Sequence, residues 1–282
     1  MTPRIHGVCT GVHLESPPRG GRMEERGAVG APGGRWEEAE MRKLLRIGLI
    51  VGLAGLLAAC GTANNMVQGS GQVITESRPV SGLSAVELAT VGTLIITQQG
   101  SESLTVEGED NILALIETTV QNGRLVIRTK PQTSFSSRED LTYRLGVVGL
   151  NEVTASSAGS VEAHGLTGDR LRATTSSAGK VTLDGLNVQT LEAHLLSSGS
   201  MAAIGQAPAQ EITLSSHGSF DGSRLPGRSG RVTVNSAGGA TVQVSDTLNV
   251  TMQDGGSVRY IGAPAVTKSG GGSGSVAPLL NQ

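Results

Sequence analysis

Acid–base or metal chemistry in the second half of this 282-residue chain would fall first to His164, His194 and His217, and to aspartates such as Asp184 and Asp221. A metal site needs several such groups at ligand spacing on one face. Cleavage of a sugar chain needs paired carboxylates, or calcium-binding acids beside an Arg or Lys base. Measured from the nearest recurring glycine, the histidines sit at +5, −5 and −1, so they do not stack into a metal ladder. The two aspartates, at +5 and +3, also fall in different columns. Arg224, Arg228 and Arg231 surround Pro226 and read as a solvated turn with a small basic edge. There is no Gly-x-Ser-x-Gly nucleophile elbow between a strand and a helix. Residues 270–275 lack the aspartate of a calcium-binding nonapeptide roll. Aromatic platforms for sugars after Cys60 are limited to Phe135, Tyr143, Phe220 and Tyr260. The residues predict no enzyme, no cofactor and no metal.

The frame that must position these side chains is a repeat. A glycine behind a short serine-rich run recurs at Gly159, Gly179, Gly199, Gly218, Gly238 and Gly256, at intervals of 18 to 20 residues. Two positions after it stand Val161, Val181, Met201, Phe220, Ala240 and Val258. Six before it stand Val153, Ala173, Ala193, Ile212, Val232 and Val250, and four before it Ala155, Thr175, Leu195, Leu214, Val234 and Met252. A weaker column seven after it holds Leu166, Leu186, Gln206, Leu225, Ser245 and Ala263. Apolar and polar positions alternate with a period of two, as in half-buried strands. A period near 20 marks a solenoid, whose units bury their apolar faces only by stacking. The expected fold is all-β: a parallel β-helix over residues 150–276, six coils making a rod on the order of 30 Å long, then a short tail at 277–282. The glycine column reads as a structural corner that tolerates positive φ and close neighbours. The serines beside it, Ser156 and Ser157 through Ser215 and Ser216, are expected to stack as hydrogen-bonding ladders.

With 41 glycines and 2% aromatics the chain suits a narrow interior, and 37% hydrophobic residues exclude wholesale disorder. Residues 60–282 carry 14 basic against 18 acidic side chains and no basic tract, which argues against nucleic acid.

Met41 opens a basic start (Arg42, Lys43, Arg46), an apolar run at 47–59 and the ending Leu57-Ala58-Ala59-Cys60. These are the parts of an export signal, and the ending resembles the bacterial lipobox. The resemblance implies cleavage between Ala59 and Cys60 and acylation of the Cys60 thiol. The apolar run is shorter than the roughly 20 residues that cross a bilayer as a helix, whereas several acyl chains on one residue anchor stably. Translation is expected to start at Met41 rather than Met23 or Met1, leaving 1–40 as a misassigned, disordered upstream extension, 41–59 as the signal and 60–71 as a lipidated tether. Cys60 is then the one cysteine of the mature chain, without a disulfide.

Residues 72–149 read as a less regular β region, with strands at 72–76, 85–88, 93–98, 103–107, 124–129 and 141–145. Asn122-Gly123 predicts a type I′ hairpin, Asp110 a cap for one short helix over 112–116, and 131–138 a polar loop. The region either continues the helix or caps one end of it.

Read in order, Gly69-Ser-Gly-Gln-Val73, Arg78-Pro-Val-Ser-Gly-Leu83, Val86-Glu-Leu88, Leu104-Thr-Val-Glu-Gly108, Asn122-Gly-Arg-Leu125, the Ser-x-Gly-x-Val repeats, Tyr260-Ile-Gly262-Ala-Pro264 and Ser273-Gly-Ser-Val276 resemble the auto-transporter adhesin head GIN domain family of bacterial envelope proteins. The resemblance implies a right-handed β-helix with a surface or adhesive role and brings no catalytic residues. Some family repeats carry an acid after Ser-Gly-Ser-Gly, a slot filled here mostly by Val, Met, Phe or Ala.

The expectation is a non-enzymatic envelope protein, held to the cell or outer membrane by lipid on Cys60, that displays polar contacts to a glycan or an envelope protein. One alternative is a carbohydrate-active lyase or hydrolase, which a groove with three or more convergent charged side chains would favour. Another is a module that stacks end to end, which an uncapped coil end would favour.

Overall fold

The computed structural model describes residues 66–279; the 1–40 extension, the 41–59 signal, Ala59 and Cys60 lie outside the described residues. The repeat residues form β10 (Glu152–Ala155), β11 (Ser160–His164), β12 (Thr167–Thr175), β13 (Lys180–Leu195), β14 (Ser200–Gln206), β15 (Ala209–Leu214), β16 (Ser219–Val234), β17 (Gly239–Met252), β18 (Ser257–Ile261), β19 (Ala265–Ser269) and β20 (Ser275–Pro278). Each from β10 to β18 pairs in parallel with the strand one coil later. Val153, Ala173, Ala193, Ile212, Val232 and Val250 lie directly above one another and are buried. The column from Val161 to Val258 stacks in the same way. The fold is a parallel β-helix.

The weak column turns out to be an alignment slip. Register shifts follow Leu183 and Gly222, inside β13 and β16. Ala207 and Val244 therefore take the interior slots, while Gln206 and Ser245 face solvent. The stretch around Pro226 is likewise not a turn: β16 runs through it with its register shifted.

The N-terminal region holds β1 (Met66–Gln68), β2 (Val73–Arg78), β3 (Ala85–Ala89), β4 (Thr93–Gln98), β5 (Ser103–Glu109), α1 (Asp110–Leu113), β6 (Ile116–Gln121), β7 (Arg124–Thr129), β8 (Ser134–Ser136) and β9 (Thr142–Val147). It both continues the helix and caps it. β3 and β4 pair in parallel with β10 and β11 on one side and with β7 and β9 on the other. The coil made by 85–98 thus lies between a later coil and the first regular one, so spatial order departs from chain order. Beyond β7 and β9 the strands turn antiparallel: β6 covers β7, β5 covers β9, and β2 covers β5. This layer closes the edge that a bare end would expose.

Three local readings need correction. Residues 66–71 are not free tether, because β1 pairs with β8 inside the supposed loop and Gly69 N–H donates to Ser136 O. Asp110 is the first helical residue and not the cap; that place belongs to Glu109, whose side chain is engaged elsewhere. The helix is also shorter than expected, because Ile116 already begins β6. Asn122 (φ 50°) and Gly123 (φ 76°) do form the primed hairpin turn. At the other end, among the described residues, no strand pairs with the outer edge of β19 or β20.

Candidate functional site

Alternation that sends the positions four and six before each glycine inward must send those five and seven before it outward. One outward column runs Arg124, Ala85, Glu152, Arg172, Glu192, Glu211, Arg231 and Asn249 in register. Beside it run Glu87, Thr154, Thr174, His194, Thr213, Thr233, Thr251 and Ser269. The two columns make a flat face of charges flanked by hydroxyls, one rung per roughly 4.8 Å strand spacing. Sequence reasoning passed over it, although the same glycine offsets that exposed the apolar columns hold the signal.

The charges are mostly spent on each other. Arg124 reaches Glu152 at 2.7 Å, across Ala85. Glu192, whose side chain is 6% exposed, holds Arg172 at 2.8 Å and also contacts Arg170. Glu211 and Arg231 are exposed neighbours in register and enter no ion pair among the described residues. His194 is half-buried beside them; burial pushes its pKa down, and Arg172 pushes the same way against Glu192 and Glu211. Its Nε2 is buried without a hydrogen-bond partner. Arg172, Glu192, His194, Glu211, Thr213 and Arg231 line a shallow groove of about 180 Å³. Arg231 therefore belongs to this face, whereas Arg228 lines a separate hollow beside Pro208 and Pro226.

The other candidates are not gathered here. His164 and Asp184 share a column, with Nδ1 3.7 Å from Oδ2, on an exposed surface. Asp221 accepts a hydrogen bond from the Ser223 N–H at 3.0 Å. His217 lies beside Ser216 at the corner. Among the described residues no cluster of His, Cys, Asp or Glu could hold a metal ion. The serines run their ladder through the backbone: Ser176 N–H donates to Ala155 O, and Ser215 N–H to Leu195 O. Ser156 Oγ donates to Glu87 rather than to another serine, since the corner splays these side chains outward.

The corner glycines are explained by close stacking. A Cβ on Gly199 would lie 2.7 Å from Thr175 Oγ1 and 2.8 Å from Gly179 O, and Gly159, Gly179, Gly218 and Gly238 are similarly crowded. Of the six, Gly256 alone has positive φ; the left-handed turn comes six residues later, at Gly165 and Gly185.

A second constellation holds the start of the described chain. The Glu109 carboxylate, fully buried, accepts from Gly71 N–H (2.7 Å), Ser137 Oγ (2.6 Å) and Arg138 N–H (2.9 Å). The Ser137 bond foremost, with the backbone donors, holds its pKa below the usual carboxylate value against the cost of burial. Ser70 N–H donates to Asn111 Oδ1, and Ser70 Oγ to Asp110 at 2.5 Å. Gly69 leaves no room for a side chain against that carboxylate.

The family model described as putative auto-transporter adhesin, head GIN domain, matches residues 82–264, a span from β3 to the approach to β19. The chain belongs to this family. Several solved structures are similar in fold to this chain. A putative adhesin from Bacteroides fragilis is 23% identical, with a TM-score of 0.69 over 76% of this chain and 100% of that one. A putative lipid binding protein from Parabacteroides distasonis is 19% identical, with a TM-score of 0.65 over 77% and 100%. A putative adhesin from Parabacteroides merdae is 21% identical, with a TM-score of 0.58 over 76% and 99%. At these identities the likeness establishes the fold of the head GIN domain. No curated protein matches the sequence.

Proposed function

We propose that this adhesin-family β-helix is a non-enzymatic envelope protein, anchored by lipid on Cys60, whose ladder face makes multivalent contact with a glycan or an envelope protein. The observation that carries the reading is the face itself: hydroxyls and compensated charges repeat in register along the rod, and repetition of weak contacts raises avidity without a deep pocket. The lipobox-like Leu57-Ala58-Ala59-Cys60 supports the anchor. Residues 61–65 would then hold the Glu109-clamped end within about 20 Å of the membrane, at roughly 3.5 Å per extended residue. Cells fed radioactive palmitate test the anchor: label on the wild type and none on Cys60→Ser is expected, and equal labelling would overturn it. A glycan array with the Cys60→Ser chain tests adhesion.

Two other readings each have one observation behind them. Convergence of Arg172, Glu192, His194, Glu211 and Arg231 favours a carbohydrate-active enzyme. Both Glu192 oxygens serve arginines, however, which leaves Glu211 without a second free acid. Release of reducing ends from polysaccharide, abolished in Glu211→Gln, would establish that reading. The bare edge of β19 and β20 favours end-to-end stacking. Lys268 and Pro278 lie on that edge, as in strands that avoid edge pairing.

A further inference from the structure

Which molecule could use a row of hydroxyls spaced by coil stacking? Resting on the display reading above, we infer that the ladder face binds an uncharged polysaccharide lying along the helix axis, gripped at His194, Glu211 and Arg231 and extended over the threonine column. The first argument is periodicity. Thr154, Thr174, Thr213, Thr233 and Thr251 recur one per coil, broken only by His194. Thr154 leans to Glu152 at 3.5 Å and Thr251 to Ser269 at 3.2 Å. Between them, the hydroxyls of Thr174, Thr213 and Thr233 have no protein partner among the described residues. A ligand that matches such a row is itself linear, periodic and rich in hydroxyls. The strand spacing of roughly 4.8 Å is close to the advance per sugar of an extended pyranose chain. An extended peptide would instead seek a sheet edge, where backbone groups are free, and not a face.

The second argument is charge. Arg124, Arg170, Arg172 and Arg231 stand against Glu87, Glu152, Glu192 and Glu211, four of each sign. A face balanced in this way offers no net field to a polyanion. Three of these charges enter no ion pair among the described residues: Glu87, which accepts from Ser156 Oγ, Glu211, which can accept from neighbouring sugar hydroxyls, and Arg231, which can donate to sugar oxygens. The third argument is unmet hydrogen bonding. His194, which lines the groove, has its Nε2 buried without a hydrogen-bond partner. A buried polar atom left in that state is costly, and a ligand hydroxyl relieves it. No aromatic ring lines the groove for stacking, so each sugar is held weakly and affinity must grow with chain length.

The test uses the full chain carrying Cys60→Ser, titrated calorimetrically with soluble β-glucan, xylan, mannan and galactan, and with polygalacturonate as the charged comparator. At least one uncharged polymer is expected to bind, long fragments more tightly than short ones, without release of reducing ends. Glu211→Gln and the double variant Thr213→Val/Thr233→Val should each weaken binding about tenfold (~1.4 kcal/mol). Thr241→Val, on the neighbouring face, should leave it unchanged, with urea midpoints alike in all variants. Uncharged polymers that bind all variants equally would overturn the assignment of this face and leave the display reading standing. Binding of polygalacturonate alone, or of no polymer in the panel, would overturn the ligand class. If the glycan array and whole-cell adhesion also failed, the display reading would fall with it.

Discussion

The two halves of this β-helix solve the same packing problem with different side chains. The N-terminal region fills its interior with Leu88, Leu94, Ile96, Leu104, Ile112, Leu113, Leu125, Ile127, Tyr143 and Leu145; the repeats set Phe220, Leu171, Leu191, Leu195, Leu214, Leu225 and Leu248 among smaller side chains. From Leu150 onward the interior is lined largely by valine, leucine and alanine, among them Ala155, Ala163, Ala173, Ala193, Ala203 and Ala240. The N-terminal region has an out-of-order coil and an antiparallel lid. In the repeats each coil rests on its neighbour. Irregularity is therefore concentrated where an end must be closed, and regularity where a surface must be repeated.

That contrast can be broken by measurement. Leu94→Ala removes a side chain from the coil flanked on both sides, by β9 and β11, and should cost about 2–5 kcal/mol in urea unfolding. Val181→Ala, in the repeats, should cost nearer 2 kcal/mol at about 0.8 kcal/mol per buried methylene plus a small cavity. Equal losses would mean that the two interiors carry the same load. Gly199→Ala forces a Cβ against Thr175 and the Gly179 carbonyl and should cost about 1–3 kcal/mol. Gly168→Ala, which meets nothing within 4 Å, should be close to neutral. A corner glycine as replaceable as Gly168 would refute close stacking as the reason for the column.

The Glu109 clamp predicts a pH effect confined to the N-terminal region. Its pKa is lowered in the fold, so its stabilisation is complete above the ordinary carboxylate pKa and is lost as pH falls through the lower folded value. Protection factors across residues 66–71, taken against the intrinsic exchange rate at each pH, should fall in acid while those of β13 hold. Glu109→Gln should show the low protection already at neutral pH. Smallest of all, Thr213→Val on the outer face should shift stability by no more than about 0.5 kcal/mol. A larger change would give that hydroxyl a structural task.

The apolar columns were legible because interior positions obey two periods at once, two along the strand and about 20 along the chain. The ladder face obeys the same periods but mixes Glu, Arg, Thr and His, so no single residue type marks it. Its meaning depends on which charges meet: Glu192 takes two arginines while Glu211 takes none. The slots of Ala207 and Val244 were misread because irregularities inside β13 and β16 move the register by an odd number of residues, one after Leu183 and three after Gly222, which reverses inside and outside. Nothing local announces Glu109 as a clamp, since its backbone donors at Gly71 and Arg138 lie 38 and 29 residues away.

By itself the amino-acid order determined that coils form, how long each one is and which side chains turn inward. Burial acts on every residue of a column alike and leaves a periodic trace. Only the tertiary structure decided that the 85–98 coil sits between 124–147 and 152–164, how the first end is closed, and which charges remain free on the outer face. Parallel neighbours are chosen by stacking complementarity between segments far apart in the chain, and spacing along the sequence carries no record of that choice.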